Sequence, residues 1–445
     1  MRIIDLRGYD LLHHGSLLLG RMEMNGIHID VERGKRELAA MQEEMDECIN
    51  IIMKHPDVKE WQHKRRKHFN PNSSDQVGDL FFRFLDFEMT KQTETGKPSA
   101  DADSLLQTHH PIAKLILKLR QLKQAQDDIK DILSQTVGGY VHPSFHLHNV
   151  STFRSSSSNP NMQNIPVRDS EMARVRHIII PRPGNQLLEF DFKGIEVAVA
   201  ACYTGDQNLI RYVTDPKTDM HRDVASQIFM IPPDDVPKPL RSMVKGGFTF
   251  AQFYGSWWKP CAEYMWKDIH ENGYSISGIP LLSHLKQNGI GDFESFAEHV
   301  RSVEADFWGN RFCEYARWKE RIYAEYVKNG YIDTFTGFRL QGYMRKNAVT
   351  NYPIQGSAFH ILLWTLIHLQ KAFDELKMKS KIIAEIHDSG LIDVFPGELE
   401  RVVYIIQKLG TEYVRKVWKW IIVPLRIEFE VTEPNRPWSE KKPHR

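Results

Sequence analysis

One stretch in the middle of the chain, Arg241 to Gly255 (RSMVKGGFTFAQFYG), constrains the rest more than any other. Two cations stand four residues apart and lead into an aromatic half that ends in Phe253, Tyr254 and Gly255. On a helix, residues at i and i+4 lie one above the other, so Arg241 and Lys245 share a face. A cationic stripe running into aromatic rings suits a phosphate tail attached to a flat base. An amphipathic core helix with a solvated basic edge would show the same pattern. The remainder of the chain has to separate the two.

At 445 residues there is room for two or three packed lobes. Hydrophobic residues make up 41% and charged residues 26%, ordinary for a globular protein. No apolar run approaches the ~18 residues of a membrane span, and the N-terminus lacks a signal-peptide pattern. A cytosolic protein without a membrane partner is expected. Cys48, Cys202, Cys261 and Cys313 show no CxxC pairing, which argues against a disulfide framework or a zinc site and fits a reducing compartment. The net charge of +1 means that any anion-binding surface is local.

Residues 1 to about 30 read as a helix followed by the turn-and-strand GIHID. Amphipathic segments follow to about 136, with helical periodicity over 38–52 and 113–133. Between them the run His63-Lys64-Arg65-Arg66-Lys67-His68 is either a solvated surface or a phosphate-backbone grip on an elongated helical lobe. Asn70-Pro71-Asn72-Ser73 reads as a turn and helix cap, and TETGKPSAD (93–101) as an exposed loop. The segment 142–166 is rich in Ser and Asn around Arg154. It is either a linker or a surface on which Asn161, Gln163 and Asn164 read sugar and minor-groove edges, because amides both donate and accept.

NQLLEFDF then reads as an apolar strand ending on Asp191, and GIEVAVAACYTGD opens a helix. The block 206–345 is mostly helical and rich in aromatic residues, with GYIDTFTGFRL alternating like a hairpin near its end. A helix starts in TNYPIQGSAFHILLWTLIHL. KIIAEIHDSGLIDVF reads as strand, tight turn over Asp388-Ser389-Gly390, and strand; the tail adds a helix and a final strand, VPLRIEFEV.

Asp191 and Asp388 both stand at the exposed ends of apolar strands. A charged group is costly to bury unless it is paired or binds a cation. Two carboxylates brought together by adjacent strands repel, and hard divalent cations with oxygen ligands, Mg²⁺ above all, relieve that repulsion. Two metals ~3.5–4 Å apart can assist an in-line phosphoryl displacement. Either Asp alone could simply be a turn former.

Taken in order, these motifs resemble the polymerase region of family A DNA polymerases, from about residue 17 to the C-terminus. Asp191-Phe192-Lys193-Gly194-Ile195-Glu196 is similar to the family's first motif, Arg241 to Gly255 to its second, and His387-Asp388-Ser389 to its third. FNPNSSDQVGDLFF, Arg154 with SSSSNPNMQNIPVR, DMH (219–221), GYIDTFTGFR and NYPIQGSA stand in the family order as well. The wording FAQFYGSWW resembles bacteriophage members more than bacterial repair enzymes.

The resemblance implies an α+β right-hand fold with an antiparallel-sheet palm, helical fingers and a helical thumb. Residues 1–29 would lead in, 30–137 form the thumb, 138–205 and 346–445 the palm, and 206–345 the fingers. It also implies a template-directed DNA polymerase acting on primer–template DNA and deoxynucleoside triphosphates, in the host cytoplasm if phage-encoded. Asp191, Asp388 and the Phe192 carbonyl would hold two Mg²⁺ ions, with Mn²⁺ as a substitute. Arg241 and Lys245 would clamp the triphosphate, Lys245 also serving as a proton donor to the leaving group. Phe250 and Tyr254 would present rings to sugar and base, Glu196 would crowd the ribose 2′ position, and His221 would contact the phosphates. Arg154, Gln163, Asn164, Asn351, Gln355 and His387 would contact primer and template. An exonuclease domain is not expected within this chain: either the chain is a fragment or the exonuclease is a separate chain, and a separate exonuclease or replisome proteins are candidate partners.

Three departures from the family pattern matter. Ser389 replaces the usual acidic residue, and Ala198 stands where the family often has Arg. Lys245 to Phe250 is five residues where the family has four, so strict i+4 spacing would present Thr249 and Phe253. An extra residue turns later side chains by about 100° unless a π-bulge absorbs it. Gly246-Gly247 sits in that interval, where irregular backbone meets least resistance. A local widening at 246–249 that restores Phe250 and Tyr254 to the active face is therefore expected. The alternatives are a single-subunit RNA polymerase, which Glu196 argues against, a catalytically silent primer–template binding protein suggested by Ser389, and a metal-dependent nuclease, which would not need the Arg241/Lys245 clamp.

Overall fold

A computed structural model describes residues 3–89, 91–93, 95–165 and 171–444. Three short strands, β1 (Ile27–Ile29), β2 (Tyr140–Val141) and β3 (Ile179–Ile180), form an antiparallel sheet in the order β2-β1-β3. They fasten the N-terminal helix Gly8–Asn25 to the chain just ahead of the larger sheet. That sheet comprises β4 (Gln186–Phe192), β5 (Lys381–Ile386), β6 (Ser389–Val394), β7 (Ile427–Val431) and β8 (Lys442–Pro443), in the order β5-β6-β4-β7-β8 and antiparallel throughout.

The composition of the strands explains their places. β5 and β6 are rich in Ile and Val and almost wholly buried, as befits strands covered on both faces. In β4, Leu188, Phe190 and Phe192 point into the core, whereas Glu189 and Asp191 share the opposite face. The helix Lys346–Glu375 covers the core side with the run HILLWTLIHL, which is buried on every side, as a helix apolar all round must be. Gly390 sits at this junction because a Cβ there would press into the ring of Phe190 and reach 3.1 Å from Leu366.

Two helical regions flank the sheet. Val31–Lys54 packs along Pro111–Ser134; Asp30 caps the first by accepting from Arg33 N at 2.8 Å, and His110 with Pro111 opens the second. Ser73 caps Ser74–Asp79, as the Asn-Pro-Asn-Ser turn predicts. The region between 195 and 345 is built of helices around an aromatic cluster, in which Phe253 stacks on Tyr315 at 5.4 Å and Phe307 meets Phe312 at 4.7 Å.

Several sequence expectations need correction. The β5–β6 turn is His387-Asp388 alone: Ser389 already pairs with Ile386, and Gly390 lies inside β6. The positive φ that closes the turn is carried by His387 (58°). The helix expected from the NYPIQGSA segment begins earlier, at Lys346, and accommodates Pro353 within it. The tail contains β8 beyond the expected final strand. No helix among the described residues is long and apolar enough to cross a membrane.

Gly356, in the same long helix, passes so close to the chain at 152 that a Cβ would overlap the Thr152 carbonyl oxygen. Gly356→Ala is expected to lower stability by about 1–3 kcal/mol in urea unfolding, because a backbone carbonyl cannot rotate aside. Gly20→Ala, in an open position on helix Gly8–Asn25, is expected to raise it by about 0.5–1 kcal/mol.

Candidate nucleotide and metal site

The sheet brings the two predicted carboxylates together. Asp191 pairs in register with Ser389, and Phe192 N donates to the Asp388 carbonyl at 3.2 Å, so the backbone of Phe192 bridges both strands. On the other side of β4, Asp191 faces Glu428 and Glu189 faces Glu430. Like charges directly opposite on an antiparallel pair are destabilising. Lys193 pairs with Glu428, and Lys441 Nζ lies 2.6 Å from both Glu189 and Glu430. No ion pair closes Asp191 or Asp388 among the described residues. Burial, aided by Glu189 and Glu428, pushes the Asp191 carboxyl up to about 6. Burial pushes Asp388 up to about 6 as well; Arg154 opposes this, while Glu196 and Asp191 add to it. Two oxygen-only donors side by side, neither closed by an ion pair among the described residues, fit a hard divalent cation.

The basic-aromatic stretch is helical with an irregular middle. Lys238–Val244 is α-helical, Lys245–Phe250 forms a π-helical turn, and Ala251–Phe253 is α-helical again. The surplus residue is absorbed there. Phe248 and Thr249 are buried, Phe248 edge-on to Phe307 at 5.5 Å. Phe250 and Tyr254 lie together with centroids 6.3 Å apart, and Lys245 Nζ stands 5.5 Å from the Phe250 ring. The widening expected at 246–249 is present, and Thr249 does not share the face of Lys245.

Asp219 organises the cationic end. It caps helix Met220–Phe229 by accepting from His221 N and Arg222 N at 3.1 Å each, and it pairs with Arg241 Nε at 2.5 Å. Arg241 and His221 are thereby tied to one carboxylate. Burial, then Arg241 and Lys245, lower His221 to about 4, which leaves its imidazole neutral at pH 7. Its ring sits 5.3 Å from Phe250.

Glu196 opens helix Ile195–Thr204 after Gly194, whose φ of 60° turns the chain out of β4. It accepts from the Tyr254 hydroxyl at 2.5 Å and forms an ion pair with Arg154. Arg154 Nε also donates to the Gln355 carbonyl at 3.2 Å, and Asn351 Nδ2 to the Tyr254 carbonyl at 3.3 Å. Arg154, Glu196, Tyr254, Asn351 and Gln355 thus meet at one node, and all but Arg154 line a narrow slot with Phe250. Burial and Glu196 raise the Tyr254 hydroxyl above the usual phenol range.

Other predicted contacts lie apart from this node. Gln163 is buried and points inward, its Nε2 donating to Ser155 Oγ at 2.9 Å and Glu385 Oε1 at 2.6 Å. Asn164 is exposed and lines a separate cavity of about 440 Å³ with Asp128 and Asp131. His387 is exposed at the β5–β6 turn. Residues 166–168 of the NIPVR segment lie outside the described residues.

Sequence reasoning missed two groups and the role of a third. Asp219 was noted only within the DMH motif, although its N-cap position before a helical pattern was detectable. Glu385, wholly enclosed and pushed up to about 7 by burial, and the Glu189–Lys441–Glu430 set depend on long-range pairing that no local pattern reveals. A His55–Asp57–His110 cluster places its ligand atoms within 4.8 Å of one another. Its chemistry is capping: each imidazole Nδ1 accepts from a helix-start N–H, and His110 Nε2 lies 3.0 Å from Asp57. Two positive helix ends also disfavour a cation there.

The sequence profile of DNA polymerase family A matches residues 35–271 and 296–438. The chain belongs to this family. It is 28% identical to DNA polymerase I of Bacillus subtilis over 424 residues, which is 93% of this chain and 44% of that protein. It is 30% identical to DNA polymerase I of Mycobacterium tuberculosis over 365 residues (78% and 37%), and 28% identical to the thermostable DNA polymerase I of Thermus thermophilus over 439 residues (94% and 46%). The chain therefore spans less than half the length of these bacterial relatives. Its fold is similar to the POL domain of Pol1 from M. smegmatis, solved in complex with DNA primer-template and dNTP, with a TM-score of 0.78 and 23% identity over 96% of this chain and 70% of that one. The architecture is the α+β right hand, with the β4–β8 sheet as palm.

A Cβ at Gly247 would penetrate the Tyr264 ring, whereas one at Gly246 meets nothing within 4 Å. Gly247→Ala is expected to destabilise by about 1–3 kcal/mol, while Gly246→Ala stays close to wild type in thermal unfolding.

The raised carboxyls also predict a pH effect. A carboxyl raised by burial favours the fold when protonated, so its contribution is complete below about 4 and lost as pH rises through about 6. Without divalent ions, the melting temperature of Asp388→Asn relative to wild type is expected to rise between pH 4 and pH 7, and added Mg²⁺ should narrow the gap by stabilising wild type alone.

Proposed function

We propose that this chain is a template-directed DNA polymerase that extends a primer 3′-hydroxyl with deoxynucleoside triphosphates. The observation that carries the reading is the convergence of the Asp191/Asp388 pair with the Glu196–Tyr254–Arg154 node, beside a helix presenting Lys245, Phe250 and Tyr254. In this reading the thumb spans about 30–137, the palm 138–205 with 346–445, and the fingers 206–345. The wording FAQFYGSWW supports a replicative role in a bacteriophage.

Asp191, Asp388 and the Phe192 carbonyl would hold two Mg²⁺ ions, or Mn²⁺, which when bound supply activation of the attacking hydroxyl and neutralisation of the departing pyrophosphate. Arg241 offers a planar fork to the phosphates and Lys245 a point charge that also protonates the leaving group. Asp219 holds Arg241 in place, and neutral His221 can donate a hydrogen bond without adding charge. Phe250 and Tyr254 pack on sugar and base. Glu196, fixed from both sides, crowds the 2′ position, so a ribose hydroxyl would meet an occupied acceptor. Arg154, Asn351 and Gln355 stand where the primer–template minor groove would pass, and Asn164 and His387 reach the duplex from the margins. Gln163 acts from behind this surface, through Ser155.

Primer extension on a defined template tests the reading. Wild type should extend in Mg²⁺, and Asp191→Ala and Asp388→Ala should each lose at least about a hundredfold. Glu196→Ala should raise ribonucleotide incorporation relative to deoxynucleotides. DNA binding without extension in Mg²⁺ or Mn²⁺ would instead identify a silent primer–template binding protein, and preferential ribonucleotide use by wild type an RNA polymerase.

A further inference from the structure

We propose that Lys441, which stands just ahead of β8, is a positioning residue for Asp191, a role that rests on the polymerase reading of the site. On the palm face away from the core, β4 and β7 align two carboxylate pairs, Asp191 with Glu428 and Glu189 with Glu430. Glu189 and Asp191 are alternate residues of one strand, so whatever moves the first moves the second. Lys441 Nζ bridges Glu189 Oε2 and Glu430 Oε2 at 2.6 Å each, and the side chains of Lys441 and Glu189 are each only 13% exposed. Three further contacts hold the bridge in place. Trp438 Nε1 donates to the same Glu189 oxygen at 2.6 Å, Arg176 stacks on the Trp438 ring at 3.9 Å, and β8 pairs with β7 through Glu430–Pro443 and Val431–Lys442. By contrast, the Lys193–Glu428 pair at the other end of the row is more than half exposed and contributes little.

Without Lys441, Glu189 and Glu430 would repel across the β4–β7 ladder two residues from Asp191. The pair would part, and the Asp191 carboxylate would leave its register with Ser389, beside the Asp388 turn. Lys441 is not among the groups placed to receive the nucleotide, so the effect falls on turnover rather than on nucleotide affinity. Arginine can make the same bridge. Removing both partner charges along with the lysine removes the repulsion that the lysine offsets.

The test is steady-state primer extension by the full chain at saturating Mg²⁺, with kcat and nucleotide KM measured separately. K441M is expected to lose about tenfold in kcat with KM within about twofold of wild type, because small misplacements of reacting groups act on turnover. K441R should recover most of the loss, and the charge-balanced E189Q/E430Q/K441M should return to within about threefold of wild type. An active wild type with K441M equally fast, or a triple variant as slow as K441M, overturns the proposal. If K441M is too unstable to assay, K441R and the triple variant are read against wild type, and a triple variant slower by about tenfold or more overturns the proposal. A wild type that extends no primer overturns the polymerase reading, and this role with it.

Discussion

Crowded negative charge on one face of the palm is the constraint on which the rest of the site depends. Antiparallel pairing sets Asp191 opposite Glu428 and beside the Asp388 turn, an arrangement that costs stability wherever the charges are uncompensated. The protein compensates Glu189, Glu428 and Glu430 with lysines and, among the described residues, leaves Asp191 and Asp388 without an ion pair. A fold organised for stability alone would not leave that pair open. The same selectivity appears at the cationic end, where Asp219 holds Arg241 and caps the helix of His221.

The π-helical turn at Lys245–Phe250 solves a different problem, how a helix with one surplus residue keeps both ends on the same face. Arg241 is anchored by Asp219, and Tyr254 is anchored by Glu196 and Asn351. With both ends fixed, the extra residue has to be taken up between them. Glycine at 247 permits it because Tyr264 packs directly against that backbone. The buried Thr249 hydroxyl, which has no hydrogen-bond partner among the described residues, shows the cost of the irregularity, and anchors at both ends make that cost sustainable.

Much of this was legible in the sequence, for identifiable reasons. The palm strands announced themselves by apolar runs ending in Asp, and the widened turn could be counted by setting the spacing of Lys245 and Phe250 against that of the family it resembles, because helical phase is a matter of arithmetic. Features that depend on distant partners were not legible. Nothing in Lys441-Lys442-Pro443 alternates like a strand, and β8 exists only because β7 offers it an edge. Gln163 was read as facing DNA, since an amide's chemistry says what it can bond but not which way it points; Ser155 and Glu385 draw it inward. Ser389 and Gly390 looked like turn formers from composition. Yet Gly390 is required by the Phe190 ring rather than by a turn, and the turn closes one step earlier, at His387.

Ser389 can now be seen in its setting. Its hydroxyl donates to the Ile386 carbonyl at 2.9 Å and closes the hairpin that carries Asp388. A carboxylate at this position could not make that bond while ionised, and it would stand directly across from Asp191. With Glu189 and Glu428 already raising the Asp191 carboxyl from the β7 side, one more negative charge on β6 would push both aspartates further towards protonation. The negative charge beside Asp191 comes here from Glu189 and Glu428 on β4 and β7, where lysines hold most of it in check. In this chain the serine is consistent with a working pair of aspartates, because it keeps their number of close negative neighbours within what a bound cation can offset.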